Sequence, residues 1–554
     1  MNQKEITKLI EKNPDITDIL ENIKKTNYIL ENNLTPKVIG LISGTYENQI
    51  FLENRFKQTN LFKSSYIFST LEEIRKQNFL GTLAFYQKLK KLNIDISDDV
   101  ILCGMVFGKG ERLYPITNAL RNMKPSMLTA KSIEINNKIL EETLIETAVK
   151  YFTLVSYYLK ENKFYGILDK WGDEIQIPGI DLFKNNQDLS DVDLIKIVSE
   201  QIVNETTAKE KDWVSYDENN NLLRQIPRRP IKKFDKLFEQ KLVKKNNENQ
   251  YVCGVSLGPV AISYRLLETA TIIFKEEIEK PGVYFDFDPY LIMALCLANE
   301  KNGRNLWELE RDEKINKLDK MMIQNQFGKD FFDKILSLKN EFEKTHNKKL
   351  NLKILDFKEV YWADLGLHNK MREYFMSLKE KSRFGFITRE ISNIPHITDK
   401  NENRIINSNI NKTKITNSVI INSNIKSGII KDSVIINSNY NKADINNSFT
   451  IGDRAFSLKA ESDSGSVKTI SKDHIHIPEK HRHVSIPLTE GITHFKVSED
   501  DDLRKINNLE TPIRENPKSF RQLYQDVFLI SQEDSEKSIL ELEKEILDKI
   551  ESED

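Results

Sequence analysis

A fifteen-residue repeat is the feature of this sequence that most restricts its fold. It spans residues 405–449, and each of its three copies begins with Ile-Ile-Asn-Ser-Asn. Apolar residues recur about every five positions, whereas a helix needs a period of about 3.6 and a lone strand a period of about 2. A five-to-six-residue period is typical of a parallel β-helix, in which each short strand sends one side chain into a narrow core.

The polar residues of the repeat fit the same interpretation. Small Asn and Ser side chains suit the corners of such a coil, where stacked copies can form ladders of side-chain hydrogen bonds. Low-complexity sequence from a biased genome would not keep the phase of the repeat through three copies. We therefore predict a solenoid over residues 386–458.

The remainder of the chain divides into three parts. Residues 97–385 alternate strand-like and helix-like segments, which predicts an α/β domain with a mostly parallel sheet covered on both faces. Residues 1–96 have helical spacing and are predicted to form a helical N-terminal region, with a packing or regulatory role. Residues 459–554 are predicted to hold a β segment and an acidic amphipathic helix, whose apolar stripe packs either on the protein's own body or on a partner subunit: Ile539, Leu542, Ile546 and Ile550.

Composition excludes several classes of protein. The 554 residues include 82 Lys and Arg against 84 Asp and Glu, a net charge of −2, so the chain lacks the positive surplus of a nucleic-acid binder. Three cysteines form no disulfide scaffold, and Cys103, Cys253 and Cys296 are predicted to be reduced core thiols. Without a secretory pattern or a long apolar run, the chain is expected to be cytoplasmic and free of membrane.

One loop carries the strongest chemical signal. A buried strand leads into Gly108-Lys109-Gly110, followed by Glu111 and Arg112. Glycines at the end of a strand let the backbone N–H groups approach phosphate oxygens, which a nearby basic side chain can neutralise. The spacing matches neither a Walker loop nor a dinucleotide fingerprint.

The wider pattern resembles the signature of the sugar-1-phosphate nucleotidyltransferases, GxGTRLxPLTxxxxKP. The matching residues are Gly108, Gly110, Arg112, Leu113, Pro115, Thr117, Lys124 and Pro125. The resemblance implies a Rossmann-like nucleotidyltransferase domain followed by a hexapeptide-type, left-handed β-helix, which agrees with the position of the repeat. It covers roughly residues 97–455.

Further segments are similar to motifs of the same family. Asp173, after Trp171-Gly172, corresponds to the aspartate that holds Mg²⁺, and Asp364 corresponds to the second metal ligand. Gly258 lies in the segment that resembles the sugar-contacting strand. Arg228 and Arg229 stand where the family has the Glu-Lys pair that contacts sugar and phosphate.

The resemblance implies an Mg²⁺-dependent transfer of a nucleotidyl group from an NTP to a sugar-1-phosphate, with release of pyrophosphate. Arg112 and Lys109 would hold the leaving phosphates, and Lys124 the α-phosphate. A degenerate member that senses nucleotide or sugar phosphate, or that scaffolds an assembly, is the alternative. Acyl transfer by the β-helix is disfavoured by the small number of regular coils. The β-helix and the C-terminal helix are the candidate surfaces for a homo-oligomer.

The chain departs from the family pattern at several positions. Val106-Phe107 replace small residues, and Glu111 replaces Thr. The stretch from Arg112 to Lys124 is two residues longer than the common spacing. The stretch from Lys124 to Asp173 is shorter than usual, which predicts a missing βα unit.

Each assigned residue also has a structural alternative. The two glycines can serve a turn alone, Lys124 a solvated surface, and Arg228 with Arg229 a basic patch. Asp364 can cap the following helix. Asp169 competes with Asp173, and Asp286 and Asp288 compete for the second metal position. The histidine cluster is interpreted as a surface or anion-contacting group rather than a transition-metal site: His474, His476, His481 and His483.

Overall fold

A sheet of 10 strands forms the centre of the molecule. A computed structural model of the chain describes residues 1–72, 77–106, 108, 110–135, 138–184, 186–280, 288–314, 331–503 and 505–552. The described helices are α1 (Gln3–Lys12), α2 (Asp15–Glu31), α3 (Tyr46–Thr59), α4 (Gln77–Leu89), α5 (Ile116–Ala119), α6 (Leu144–Glu161), α7 (Glu205–Glu210), α8 (Phe234–Glu239), α9 (Tyr264–Ile273), α10 (Lys275–Glu279), α11 (Asp288–Ala298), α12 (Gly303–Lys314), α13 (Phe331–His346), α14 (His368–Met376), α15 (Arg383–Ile391), α16 (Ile506–Glu510), α17 (Phe520–Asp526) and α18 (Gln532–Ser552).

The described strands follow the same chain order. Those before the repeat are β1 (Val38–Ser43), β2 (Tyr66–Leu71), β3 (Val100–Val106), β4 (Leu128–Ile135), β5 (Lys138–Thr143), β6 (Gly166–Trp171), β7 (Glu174–Ile177), β8 (Leu194–Ile202), β9 (Trp213–Tyr216), β10 (Leu222–Ile226), β11 (Lys244–Lys245), β12 (Tyr251–Ser263), β13 (Leu352–Asp356) and β14 (Tyr361–Asp364). Those in and after it are β15 (Arg404–Ile406), β16 (Asn409–Ile410), β17 (Thr413–Thr416), β18 (Val419–Ile421), β19 (Asn424–Lys431), β20 (Val434–Ile436), β21 (Asn439–Asn446), β22 (Phe449–Ile451), β23 (Arg454–Ala460), β24 (Gly465–Val467), β25 (Ile470–Ile477), β26 (His481–Leu488) and β27 (Gly491–Ser498).

The central sheet is mixed, and its parallel part carries the glycine loop. Its main path runs β10-β9-β12-β6-β3-β1-β2, and β8 joins β12 to β13. Strands β2, β1, β3 and β6 are parallel, whereas β12 is antiparallel to β6. All seven residues of β3 are buried, as expected for a strand of continuous apolar character with both faces covered. The predicted α/β class is correct, but the prediction of a mostly parallel sheet is wrong. Of the strand pairs described in this sheet, four are parallel and five are antiparallel.

Two apolar cores cover the two faces of this sheet. On one face, Ile101 and Cys103 of β3 pack in a core that includes Leu83 of α4 and Leu267 of α9. On the other face, Leu102 packs in a core with Phe152 of α6. Consecutive residues of a strand point to opposite faces, so β3 contributes to both cores.

The prediction that residues 1–96 form a purely helical region is wrong. Besides its helices it contains β1 and β2, and Ile39 of β1 lies opposite Leu102 of β3. All six residues of β1 are buried, and so short an apolar run shows no alternation that a sequence could reveal. The absence of a βα unit between Lys124 and Asp173 stays a prediction.

The helix that the sequence predicts across residues 133–162 begins later, at Leu144. Strands β4 and β5 form an antiparallel pair before it. Thr143 caps α6, and Glu146 completes a capping box with it. This cap fixes the start of the helix.

The repeat forms parallel strand ladders with an offset of fifteen residues. Ile405 pairs with Ile420, and Ile420 with Ile435, in one sheet. In the second sheet Ile425 pairs with Tyr440. The apolar residues that recur every five positions collect in one buried cluster, which explains the period of the sequence.

Asparagines occupy the turns between these strands in the left-handed region. Asn422 and Asn437 both have φ of 48°. Short polar side chains tolerate this region better than other non-glycine residues. The Asn422 amide donates to the Asn437 side-chain oxygen at 3.0 Å, and the Ser438 backbone N–H donates to the Ser423 hydroxyl at 3.1 Å. The side-chain ladders predicted from the sequence are present.

The parallel ladders run past the predicted solenoid end at residue 458. Phe449 pairs with Gly465, and Gly465 with Arg482. The offset between partners thus grows from fifteen residues to sixteen and seventeen. This lengthening removes the repeat pattern from the sequence, and for that reason the later strands were not predicted as part of it.

The C-terminal helix α18 packs on the protein's own body. Its apolar stripe, including Ile546 and Ile550, forms a cluster with Ile470 of β25. This contact selects one of the two alternatives that the sequence left open. Cys103, Cys253 and Cys296 are buried and free, as predicted. No helix within the described ranges has the length and apolar character needed to cross a membrane.

Candidate functional site

The glycine loop follows β3 at the carboxyl edge of the parallel strands, where α/β proteins bind ligands. Gly108 and Gly110 have φ of 123° and 65°, values that favour glycine. A Cβ on Gly110 would lie 2.6 Å from Thr117 Cγ2, and the Thr117 hydroxyl donates to the Gly110 carbonyl at 3.1 Å. Thr117 therefore holds the backbone at Gly110 in place. Phe107 and Lys109 lie outside the described residues.

Glu111 and Arg112 begin a short 3-10 turn after the glycines. The Arg112 side chain is exposed. Among the described residues, neither of these two side chains has a hydrogen-bond or ion-pair partner. Arg112 is thus a cation at the rim of the loop whose guanidinium is free to meet an anion.

Lys124 brings the two predicted metal ligands together. Its ammonium donates to the Asp173 carboxylate and lies 3.8 Å from Asp364 Oδ1. Burial lowers the pKa of Lys124, but Asp173 and Asp364 outweigh it, so the pKa lies above its usual value. Burial likewise raises the pKa of Asp173, and the Lys124 ammonium more than reverses this, which leaves that pKa below its usual value.

Two short strands place Asp364 beside Lys124. β14 pairs with β7, and Asp364 lies opposite Glu174. The Gly366 N–H donates to Asp364 Oδ1 at 2.7 Å. A Cβ on Gly366 would lie 2.5 Å from Lys124 Nζ, so glycine keeps this space for the ammonium. Helix α14 begins at His368 without a side-chain cap, so Asp364 is not its N-cap.

A second buried lysine, which the sequence analysis missed, lies near this cluster. Lys170 is fully buried, and its ammonium has no hydrogen-bond partner among the residues that the structure describes. Burial lowers the pKa of Lys170, although the charges of Glu174, Asp173 and Asp364 act against it. Burial also raises the pKa of Glu174. The sequence signal that could have found it is the charged pair Asp169-Lys170 inside a strand that begins with Gly-Ile-Leu and ends with Trp171.

Asp169 lies on the other face of β6 and is no substitute for Asp173. It accepts a hydrogen bond from the Thr82 hydroxyl at 2.6 Å. It also lines a mainly apolar pocket with Met105, Trp171 and Gly258. Of the two rival metal ligands, Asp286 lies outside the described residues, and Asp288 is the first residue of α11.

Gly258 is required by its packing against Trp171. Its φ is 92°, and a Cβ would lie 3.0 Å from the Trp171 ring. Its carbonyl accepts from the buried Lys196 ammonium at 2.8 Å. A contact between Gly258 and a sugar remains a prediction.

Arg228 and Arg229 lie apart from the Lys124 cluster. The Arg228 Nε atom lies 3.4 Å from Asp212 Oδ2, and the buried Arg229 donates to the Pro227 carbonyl at 3.1 Å. Within the part of the chain that is described, neither arginine bonds to Lys124, Asp173 or Asp364. Their predicted role at the sugar phosphate has no support from these contacts.

The four clustered histidines make separate contacts on β25 and β26. His474 contacts Ser457, His476 contacts Glu461, and the buried His483 contacts Thr469. In the described ranges, no group of three or more His, Cys, Asp or Glu side chains is arranged to hold a metal ion.

Comparison of the chain with protein-family models finds no match, and comparison with curated proteins finds no match either. The chemistry of the Lys124 cluster therefore has to be argued from its own residues.

Proposed function

We propose that this chain is a sugar-1-phosphate nucleotidyltransferase, which transfers a nucleotidyl group from an NTP to a sugar-1-phosphate and releases pyrophosphate. The observation that carries the proposal is the meeting of Lys124 with Asp173 and Asp364. The three residues come from three separate sequence segments that each resemble a motif of the same family. If the three motifs serve one active site, their residues are expected to lie together.

The architecture supports the proposal. The glycine loop leaves a strand of the parallel sheet, and the ladders with a fifteen-residue offset follow it in the chain. We infer that these ladders are the faces of a parallel β-helix, which would give the order of domains that the resemblance implies. An Mg²⁺-dependent reaction of this kind also fits a protein without a nucleic-acid-binding charge surplus.

The cluster can position and neutralise two anions that repel each other. The sugar phosphate must attack the α-phosphorus in line, and most of the catalysis comes from placement and charge stabilisation. Lys124 would hold the α-phosphate and the attacking phosphate. The free Arg112 guanidinium would hold the leaving phosphates, together with Lys109, which lies outside the described residues.

The residues present fit the implied Mg²⁺ ion. Asp173 and Asp364 offer carboxylate oxygens that already face one positive charge, that of Lys124. Magnesium is commonly held by one or two carboxylates together with substrate phosphates. When bound, the ion would stabilise the charge on the phosphates. The chain's own contribution is to aim these two carboxylates at one point.

The test is pyrophosphate release from the purified protein with Mg²⁺. Five NTPs (UTP, ATP, GTP, CTP and dTTP) are each combined with a panel of sugar-1-phosphates. We expect release that requires both substrates of one pair and that falls at least 100-fold in Lys124→Met, the size of a lost charge-stabilising contact. The exposed Lys370→Met serves as the matched control, because within the described ranges Lys370 pairs with Glu373 on the surface and with no residue of the cluster. NTP binding without any release would instead favour a sensor.

A further inference from the structure

The C-terminal segment 518–528 lies against the glycine loop. The Tyr114 hydroxyl donates to the Lys518 carbonyl at 3.0 Å, across 404 residues of chain. The Tyr114 and Phe520 rings meet edge to face, with centroids 5.4 Å apart. The segment thus contacts the loop immediately after Arg112 and Leu113.

The same segment contacts the far end of the loop. The Asn122 side-chain amide donates to the Tyr524 carbonyl at 2.8 Å, and Arg121 donates to the Val527 carbonyl at 3.4 Å. The Arg121 guanidinium also lies over the Phe528 ring, 5.8 Å from its centroid. Lys124 follows only two residues after Asn122.

Arg121 and Asn122 adopt an unfavourable backbone conformation that these contacts stabilise. Both have φ of 60°, in the left-handed region that L-residues disfavour. The stretch that contains them is two residues longer than the spacing of the family that it resembles. Within the loop, Asn122 also accepts from the Asn118 amide at 2.9 Å. The Asn122 backbone N–H also donates to the Thr117 carbonyl at 2.8 Å. The bonds to the Tyr524 and Val527 carbonyls add to this support from outside the loop.

The segment itself is firmly held. Phe520, Leu523 and Val527 are buried in a core that also contains Tyr114 and Ile116. The Lys518 ammonium pairs with Glu490 of the β26–β27 turn at 2.7 Å and with Asp526 at 2.5 Å. A loop bonded to such a segment has little freedom to move.

We propose that residues 518–528 are a positioning element for the proposed transferase, with Tyr524 and Val527 as its contact points. By holding Arg121 and Asn122 in the left-handed region, the segment fixes Lys124 where it meets Asp173 and Asp364. This inference rests on the proposed function for its catalytic consequence, but its structural part stands on the contacts alone.

The experiment uses the full chain with the double variant Tyr114→Phe/Asn122→Asp. Both changes keep the side-chain shape, and each removes one donor to the C-terminal segment. We expect amide hydrogen exchange in residues 110–127 to become at least tenfold faster. One hydrogen bond is lost at Tyr114, and at residue 122 a carboxylate oxygen, which cannot donate, faces the Tyr524 carbonyl. We also expect kcat to fall about tenfold, with a smaller rise in KM for the sugar phosphate, because Lys124 would hold only the phosphate end of that substrate.

The matched control is Tyr251→Phe/Asn446→Asp, which removes a hydroxyl bond to Asp235 and an amide bond to Ser462. It should leave the exchange of residues 110–127 and the kcat unchanged. Unchanged exchange in the first double variant would overturn the positioning role. Faster exchange with an unchanged kcat in an active protein would overturn its catalytic consequence. A wild type that releases no pyrophosphate refutes the proposed function, and exchange alone then decides the structural claim.

Discussion

The Lys124 ammonium donates a hydrogen bond to the Asp173 carboxylate across 49 residues of chain. Asp364, a further 191 residues along, lies within 4.0 Å of the same ammonium. Contacts between residues so distant in sequence form only when the sheet and the β7–β14 pair are both in place. The cluster therefore depends on the whole α/β domain.

Replacing Gly366 by alanine should disturb this cluster directly. The added Cβ would lie 2.5 Å from Lys124 Nζ and 2.7 Å from Asp364 Oδ1, so the ammonium must move. We expect pyrophosphate release to fall about 100-fold while the fold persists, as measured by steady-state kinetics beside circular dichroism. Gly81→Ala is the control, since its nearest neighbour would be 3.9 Å away in helix α4. Equal activity of the two variants would contradict the account.

Lys170→Met should stabilise the protein. The change replaces a buried ammonium without a hydrogen-bond partner by an apolar side chain of similar length. We expect a gain of about 1–3 kcal/mol in the free energy of unfolding, measured by urea denaturation. Lys196→Met should do the opposite, because that buried ammonium donates to the Gly258 carbonyl. Equal destabilisation by both changes would show that the Lys170 ammonium does make stabilising hydrogen bonds, contrary to this prediction.

Protonation of His368 should lower the free energy of unfolding of the protein in mild acid. Burial, with a contribution from Arg482, lowers the pKa of His368 from 6.5 to about 3. Its stabilising contribution is therefore complete above pH 6.5 and is lost as the pH falls toward 3, by about 1.4 kcal/mol per pH unit. Its Nε2 atom lies 3.0 Å from the Tyr114 carbonyl, an acceptor, so the neutral ring donates there.

The measurement is the urea midpoint between pH 7 and pH 5 for wild type and His368→Gln. The variant keeps a donor for the Tyr114 carbonyl. Its free energy of unfolding should vary less with pH than that of the wild type, by the slope that corresponds to one bound proton. His474→Gln is the control at a partly exposed ring in contact with Ser457. A pH dependence identical in wild type and His368→Gln would contradict the assigned burial.

Asn437 should tolerate glycine better than alanine. Its φ of 48° suits glycine, whereas alanine adds left-handed strain of about 1 kcal/mol. Both changes remove the amide that donates to Glu141 Oε1 at 3.0 Å, which joins the repeat to the α/β domain. Thermal unfolding should therefore rank wild type above Asn437→Gly, and that variant above Asn437→Ala. If Asn437→Ala proved more stable than Asn437→Gly, the left-handed backbone conformation assigned to residue 437 would be contradicted.

The sequence was most informative where a pattern repeats or where glycine is obligatory. The spacing of Ile420, Ile425 and Ile430 predicted a shared core, and these residues form one. Gly108 and Gly110 predicted a turn at a strand end, and both have positive φ.

The remainder depended on contacts that no local pattern encodes. β1 is buried on both faces and joins β3 by pairing between distant segments. The offset between paired strands grows after residue 451, and the sequence repeat is lost there. The position of Lys170 beside Glu174 depends on the fold, because the charged pair Asp169-Lys170 in β6 does not itself show which of the two side chains faces the Lys124 cluster.

The central claim is nucleotidyl transfer at the Lys124 cluster, and the most direct measurement follows the α-phosphorus of a labelled NTP. We expect the label to enter a nucleotide-sugar only when a sugar-1-phosphate and Mg²⁺ are present, and we expect Asp173→Asn and Asp364→Asn each to abolish this transfer. Label that remains in the NTP with every sugar-1-phosphate, or that appears only in the nucleoside monophosphate, would contradict it.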